Sequence, residues 1–173
     1  FGDVRCWGDN SNGETDAMVD TFYTVAVGLD FSCGLDVLGN ITCWGDTNHP
    51  VVSYEPLGFY LSVVAGDNHV CALDDFGFVE CWGQDDFAQT QSPNIQMMKL
   101  SSFGNRSCAL SRSNEIYCWG DISLSLDQEY FIDLSVGGEK ICGVTLEKSL
   151  RCWDDVGNDV SPQESSEGLI FSY

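Results

Sequence analysis

The sequence predicts an all-β protein built from β-propeller blades in a partial or incomplete ring, with one disulfide-stapled hairpin in each blade. Three observations lead to this prediction: a Cys-Trp pair recurs at intervals of 37, 38, 37 and 34 residues, a second cysteine lies ten residues before each of the last four pairs, and the intervening stretches lack helical periodicity. A unit of this size cannot cover its own apolar faces, so neighbouring units must stack, and radial stacking produces a propeller. The pairs are Cys6-Trp7, Cys43-Trp44, Cys81-Trp82, Cys118-Trp119 and Cys152-Trp153.

The constant ten-residue spacing between cysteines indicates an antiparallel hairpin. If Cys33 faces Cys43 across two strands, Leu35 must face Ile41, which leaves residues 37–39 as a three-residue loop. One cysteine pair and one aliphatic pair therefore share a face, which we expect to be buried. The same register predicts hairpins over 33–43, 71–81, 108–118 and 142–152, whose loops end on Gly39, Gly77, Asn114 and Lys148 in a left-handed backbone conformation.

A third strand is predicted ahead of each hairpin. Short apolar stretches lie at residues 25–27, 63–65, 100–102 and 134–136, and they usually run into a glycine that begins a turn. The stretches between repeats, such as residues 9–14 and 84–86, are polar and are expected to be loops. Each repeat therefore supplies three or four short strands.

The cysteines are predicted to form disulfides in an oxidising compartment. Nine cysteines occur in 173 residues, and the chain has no Cys-x-x-Cys pair of the kind that zinc sites use. Facing positions on a hairpin can reach disulfide distance, which predicts bonds from Cys33 to Cys43, Cys71 to Cys81, Cys108 to Cys118 and Cys142 to Cys152.

Cys6 is expected to be unpaired within this chain. By the ten-residue rule its partner would lie four positions before Phe1. We therefore expect Cys6 to bond an upstream cysteine in the intact protein, with an intermolecular bridge as the alternative.

The charge balance narrows the classes of partner. Asp and Glu number 27 and Lys and Arg number 7, for a net charge of −20, whereas binding to phosphate backbones or anionic lipid relies on clustered basic residues. No apolar run approaches the roughly 20 residues that cross a bilayer. We expect protein partners, including other subunits of a surface assembly or filament, no nucleic acid and no direct membrane insertion.

One repeat carries a family resemblance. Residues 63–73, which read VVAGDNHVCAL, followed by Gly77 and Cys81-Trp82-Gly83, resemble a regulator-of-chromosome-condensation repeat. The cysteine-paired branch of that family, found in bacterial surface proteins and in crinkly-type plant receptor kinase ectodomains, is the closer match. The resemblance implies a propeller, commonly of seven blades. Two departures are Phe103 at a glycine position and Asp154 in place of the glycine of the last Cys-Trp-Gly, and the inter-repeat loops have lost most of the family signature.

The repeats suggest a single domain over residues 1–173. Besides the four hairpins, residues 1–8 correspond to half a repeat, and residues 169–173 read as the start of a further blade. The chain is then either an arc of a longer propeller or a smaller ring whose two ends share one blade.

The candidate functional residues favour structural roles. One tryptophan per repeat is typical of blade packing, which predicts Trp7, Trp44, Trp82, Trp119 and Trp153 in the core and not as a ligand-stacking set. His49 and His69 lack an evident nucleophile partner, and the carboxylate clusters at 74–75, 85–86 and 154–159 match no ordered calcium loop. We expect no catalytic residue, no metal site and no cofactor. Two sequons make Asn40 and Asn105 candidate N-glycosylation sites.

These observations predict a non-catalytic extracellular or cell-surface module for protein interaction or structural assembly, made in the secretory pathway. The ligand-binding ectodomain of a cell-surface receptor is the main alternative. Guanine nucleotide exchange on a small GTPase, which the founding family member performs, is a remote one because it takes place in reducing compartments. A hydrolase using carboxylate pairs rests only on the abundance of acidic residues.

Overall fold

Four three-stranded antiparallel sheets make up the ordered architecture. The computed structural model describes residues 4–16, 21–54, 56–122 and 129–162, and within these ranges it contains strands, turns and loops but no helix. The fold-class prediction is confirmed. The strands are β1 (Phe22–Val27), β2 (Phe31–Asp36), β3 (Ile41–Gly45), β4 (Tyr60–Ala65), β5 (His69–Asp74), β6 (Val79–Gly83), β7 (Met97–Phe103), β8 (Arg106–Ser111), β9 (Ile116–Gly120), β10 (Phe131–Gly137), β11 (Lys140–Thr145) and β12 (Leu150–Asp154).

Each sheet is one blade, formed by three strands in chain order. The first hairpin has the predicted register, with Cys33 opposite Cys43 and Leu35 opposite Ile41. The other three hairpins repeat it. All four loop-ending residues have positive φ, between 64° at Lys148 and 92° at Gly77, as the three-residue loop requires.

Backbone hydrogen bonds join each blade to the next. On the side of the blades that carries the hairpin loops, here called the loop side, Tyr60 N donates to Gly39 O at 2.9 Å. Equivalent bonds run from Met97 N to Gly77 O and from Phe131 N to Asn114 O, both at 2.7 Å. The first strands of successive blades are in contact, β1 with β4, β4 with β7 and β7 with β10, as in radial stacking.

The core lies between blades. The hairpin face of blade 1, with Leu35 and Ile41, packs against Tyr60 and Val63 of blade 2. Blade 1 itself has an open face on its other side, where Val25 is 45% exposed although its equivalents Val63, Leu100 and Leu134 are buried. At the opposite end of the array Leu150 of blade 4 is 47% exposed, so the predicted burial of its aliphatic pair is wrong. The reason is that no following blade covers this face among the described residues.

The last blade ends differently from the others. Gly45, Gly83 and Gly120 have φ between 95° and 124°, and a Cβ at each would lie 2.2–2.5 Å from a backbone oxygen. Asp154 takes that position in blade 4, and the chain instead turns back: Asp154 N donates to Asn158 O at 3.0 Å, and Val160 N donates to Cys152 O at 2.8 Å. At the position where the other three blades have a glycine and the chain leaves the sheet, blade 4 has Asp154, and the chain forms a further hairpin with β12.

The amino-terminal segment departs from expectation. Residues 4–8 form no strand, and Trp7 is 87% exposed, so its prediction as a core residue is wrong. Trp7 is exposed because, among the described residues, this segment has neither a partner strand nor a blade that covers it. The predicted start of a blade at 169–173 and residues 1–3 of the predicted half repeat lie outside the described residues.

Candidate functional site

The four disulfides are positioned by the hairpins. Their Cα–Cα distances are 4.0–4.1 Å, and each joins residues ten positions apart, in the pairing that the spacing indicates. Cys6 is the one cysteine without a disulfide, and all nine lie within the described residues. Every blade is therefore covalently closed between its second and third strands.

Four of the five tryptophans pack inside the array. Trp44, Trp82, Trp119 and Trp153 are buried, and their ring partners include Phe22 at 5.5 Å, Tyr54 at 5.8 Å and Phe131 at 5.7 Å. The indole nitrogens of Trp44 and Trp119 donate to the backbone oxygens of Glu14 and Gln89, both at 3.0 Å. In blades 1 and 3 these bonds join the loop that precedes the blade to its outermost strand.

A buried histidine cluster joins blade 2 to blade 3. His69 Nε2 lies 2.7 Å from Ser107 Oγ and 3.2 Å from Ser102 Oγ, while His69 Nδ1 has no hydrogen-bond partner among the described residues. A serine beside a histidine is the geometry of an activated nucleophile. Here His69 and Ser107 are completely buried, and no described residue accepts a hydrogen bond from Nδ1 as the orienting group of a catalytic triad would. The arrangement bonds two blades and offers no surface to a substrate.

Stability should fall as the pH falls, because of His69. Burial lowers the pKa of His69 from 6.5 to about 4, although Asp67 and Asp85 act in the opposite direction. The unfolded state therefore binds more protons between these values, so stability present above pH 6.5 is lost as the pH falls to 4. The full effect is about 3 kcal/mol in free energy of unfolding.

Denaturant unfolding measured across this pH range checks the expectation. His69→Phe should flatten the pH dependence, because it removes the titrating imidazole. Phenylalanine is a suitable replacement, since Phe31 occupies the equivalent position in blade 1. A variant that kept the slope of the parent protein would show that other groups produce it. Carboxylates with lowered pKa values contribute at lower pH and provide the remaining slope.

The acidic clusters cap turns. Side-chain and backbone hydrogen bonds from Thr90 hold the pKa of Asp85 below its ordinary value, and the side chain of Asn158 does the same for Asp154. Asp159 pairs with Arg151 at 3.1 Å. Among the described residues, no group of three or more His, Cys, Asp or Glu side chains is arranged to hold a metal ion.

The two sequon asparagines differ in environment. Asn40 is exposed just after a hairpin loop, and its amide donates to Asp36 Oδ2 at 2.8 Å. Asn105 is half-buried in the turn before β8, and the hydroxyl of its sequon residue Ser107 is part of the histidine cluster. Glycosylation of either remains a prediction.

An apolar pocket opens on the loop side of blade 2. It has a volume of about 380 Å³ and is lined by the incoming segment before β4 and by the β5–β6 hairpin. Leu57 is 94% exposed, Phe59 68% and Phe76 67%. Phe78 completes the apolar lining, and the equivalents of Phe76 and Phe78 in blade 1 are Leu38 and Asn40. We call this the blade 2 pocket.

Carboxylates border the blade 2 pocket. Tyr54 Oη donates to Glu80 Oε1 at 2.7 Å, and Tyr60 Oη donates to the other carboxylate oxygen. Burial and this bond raise the pKa of Tyr60. Asp75 is exposed and makes no ion pair among the described residues, and no Lys or Arg lines the pocket.

Sequence analysis did not identify the blade 2 pocket. The sequence contains one indication of it: blade 2 has the aromatic residues Phe76 and Phe78 in and beside its hairpin loop, whereas the equivalent loop of blade 3 is polar. The meeting of that loop with Leu57 and Phe59 depends on the chain path between blades, which the repeat spacing leaves open.

A second, larger cavity lies against the open face of blade 1. It measures about 480 Å³ and lies between the amino-terminal segment, including Cys6 and Trp7, and the strand residues Val25 and Val27. Its apolar wall is the face that is covered by a neighbour in the other three blades.

The described residues include no helix that could span a bilayer.

Comparisons with known proteins support the propeller. No protein-family model and no curated protein sequence matches the chain. The crinkly WD40 ectodomain of the Arabidopsis thaliana receptor kinase ACR4 aligns with 91% of this chain and 62% of its own length, at 31% identity and a TM-score of 0.73. The entire ectodomain of the Physcomitrella patens receptor kinase CR4 aligns with 92% and 45%, at 28% identity and a TM-score of 0.75.

A further solved structure shares the fold at lower identity. Prp20p from Saccharomyces cerevisiae, the yeast RCC1 protein, aligns with 84% of this chain and 52% of its own length, at 13% identity and a TM-score of 0.69. The chain thus spans about three fifths of the ACR4 ectodomain and under half of the CR4 ectodomain. It shares its fold with β-propeller receptor ectodomains and with yeast RCC1.

Proposed function

We propose that this chain is a non-catalytic propeller module for protein interaction or structural assembly, and that it works outside the cell or at the cell surface. The observation that carries the proposal is the disulfide present in every blade. Such bonds form and persist in oxidising compartments and are rare in the cytosol and nucleus. Apolar side chains exposed on the loop side give the module a surface on which a protein can dock.

A receptor ectodomain is the second candidate. It is supported by the 31% identity to the ACR4 ectodomain over 91% of the chain. Exchange on a small GTPase has weaker support, since Prp20p is only 13% identical and the sequence of this chain is strongly acidic.

Expression in two compartments tests the proposal. The chain routed through a secretory pathway should emerge folded, with four disulfides and a thiol count of at most one, that of Cys6. The same chain in a reducing cytosol should be largely unfolded or degraded, because it lacks its cross-links. Mass spectrometry of alkylated samples counts the thiols, and circular dichroism reports the fold. A folded, fully reduced cytosolic protein that accelerates nucleotide release from a small GTPase would overturn the extracellular assignment.

Binding is tested by capture with the oxidised, secreted chain as bait. Proteins of the cell-surface fraction of the source organism should be retained and should be absent when the bait is reduced and alkylated. Retention that is equal for both forms of bait would show that the folded propeller is not the binding element.

A further inference from the structure

We propose that the blade 2 pocket is the docking site for a partner polypeptide that presents an arginine beside an apolar side chain. This inference rests on the proposed interaction function and names the surface and the chemistry involved. The exposed apolar lining residues are Leu57, Phe59, Phe76 and Phe78. Three carboxylates line the pocket, those of Asp74, Asp75 and Glu80, and Asp74 already accepts hydrogen bonds from the backbone of the hairpin loop.

The exposed apolar side chains of the pocket lie outside the buried core clusters. Leu57, Phe59 and Phe76 are each more than half exposed, whereas the residues that bind blade 2 to its neighbours, such as Tyr60 and Val63, are buried. A contiguous group of exposed aromatic and aliphatic side chains in a concave site is typical of an interaction surface. One side of the pocket is held in position by hydrogen bonds, because the hydroxyls of Tyr54 and Tyr60 both donate to the carboxylate of Glu80.

Charge decides the kind of occupant. The three carboxylates lie at an apolar wall with no Lys or Arg in the lining, and the whole chain carries a net charge of −20. The guanidinium of Arg112, from the hairpin loop of blade 3, lies beside Gly77, but among the described residues it forms no ion pair with Asp75. An acidic ligand would be repelled by these carboxylates, and a neutral one would leave Asp75 without an opposite charge, whereas a cation on the partner would pair with Asp75.

Arginine fits this site better than lysine. A guanidinium is planar, stacks on aromatic rings and presents several donors to a carboxylate at the same time. Phe76 and Phe78 provide rings from the hairpin, and Phe59 provides one from the incoming segment. Asp75 lines the same pocket. The apolar neighbour of the arginine would then cover Leu57.

The equivalent positions in the other blades do not reproduce this set. Blade 1 has Val37, Leu38 and Asn40 where blade 2 has Asp75, Phe76 and Phe78. Blade 3 has a polar loop at 112–114. Recognition is therefore assigned to one blade of the array, and the blade 1 loop offers a matched internal control.

Nuclear magnetic resonance of the isotopically labelled, oxidised chain tests the proposal directly. The probe is N-acetyl-arginyl-leucine amide, and its neutral isostere N-acetyl-citrullyl-leucine amide is the control. Saturable shifts in backbone amides are expected at 57–60 and 74–80 with the arginine probe, and markedly weaker ones with the citrulline probe. Absence of saturable shifts, equal binding of both probes, or shifts centred on another blade would overturn the assignment.

Substitutions separate the pocket from the general charge of the chain. Asp75→Asn and Phe76→Ser should each weaken the probe about fivefold, as expected for one exposed ion pair or one cation–π contact. Asp155→Asn removes an exposed carboxylate elsewhere, and Leu38→Ser removes the apolar side chain at the equivalent loop position of blade 1. Both controls should leave the affinity unchanged. Asp155→Asn as damaging as Asp75→Asn would reduce the effect to overall charge and refute the site.

Two further readouts distinguish the pocket from the proposed function. Sedimentation of the chain alone checks whether a second copy fills the pocket, and dimerisation abolished by Phe76→Ser would replace the cationic partner with self-association. If cell-surface capture persists with the Phe76→Ser bait, the interaction function stands and the blade 2 pocket assignment fails. If capture is lost with Phe76→Ser and kept with Leu38→Ser, both are supported.

Discussion

Reduction of the four disulfides is expected to unfold the chain. Each bond closes a loop with a sequence separation of 10, which in the chain-entropy model contributes about 2.8 kcal/mol, so the four together contribute about 11 kcal/mol. The whole free energy of unfolding of a typical domain is about 5–15 kcal/mol. The reduced chain should therefore lose its cooperative thermal transition, followed by circular dichroism in the presence and absence of a reductant.

Single bonds should have graded effects. The paired substitution Cys71→Ser with Cys81→Ser should lower the free energy of unfolding by about 3 kcal/mol. Cys6→Ser is the matched control, since Cys6 has no disulfide among the described residues, and it should leave stability unchanged. Peptide mapping under non-reducing conditions identifies the bonds directly. Recovery of Cys43 joined to Cys71 would contradict the hairpin register.

Replacing Trp82 by alanine is expected to destabilise the chain strongly. Its side chain is buried between blades 1 and 2 and lies against the ring of Tyr54 at 5.8 Å. Large-to-small changes of this kind cost about 3–5 kcal/mol in free energy of unfolding, through lost burial and the cavity that remains. The indole nitrogen has no hydrogen-bond partner among the residues that the structure describes, so the expected loss comes from packing.

Trp7→Ala is the matched control. Trp7 is 87% exposed, and substitutions at exposed positions usually change stability by less than about 0.5 kcal/mol. Urea titration of both variants measures the difference. Equal stability of Trp82→Ala and the parent chain would show that the inter-blade core is not where the structure places it.

The repeat spacing predicted the blades well because it depends on local geometry. A ten-residue cysteine spacing and a three-residue loop determine which residues face each other, and the pairing of Leu35 with Ile41 follows from that register alone. The left-handed conformation of Lys148, which has no intrinsic preference for it, shows how strongly the loop length dictates the backbone.

Burial could not be predicted in the same way, because it depends on neighbours. Trp7 and Leu150 have the same repeat positions as buried residues, yet both are exposed because no blade covers them among the described residues. The blade 2 pocket was missed for a different reason: its lining comes from two segments about 20 residues apart in sequence, and they meet through the pairing of β4 with β5 and the path of the chain into β4.

The cross-links also determine how this molecule responds to tension. A stretched polypeptide gains at most about 3.3–3.6 Å of length per residue released. In each blade the residues between the paired cysteines lie inside a covalent ring, so a force applied to the backbone bypasses them through the S–S bond. Each intact bond therefore reduces the length to which its blade can be stretched by about 30 Å. Under tension, the maximum length of the array is therefore limited by covalent bonds, and the residues inside the rings become extensible only after reduction.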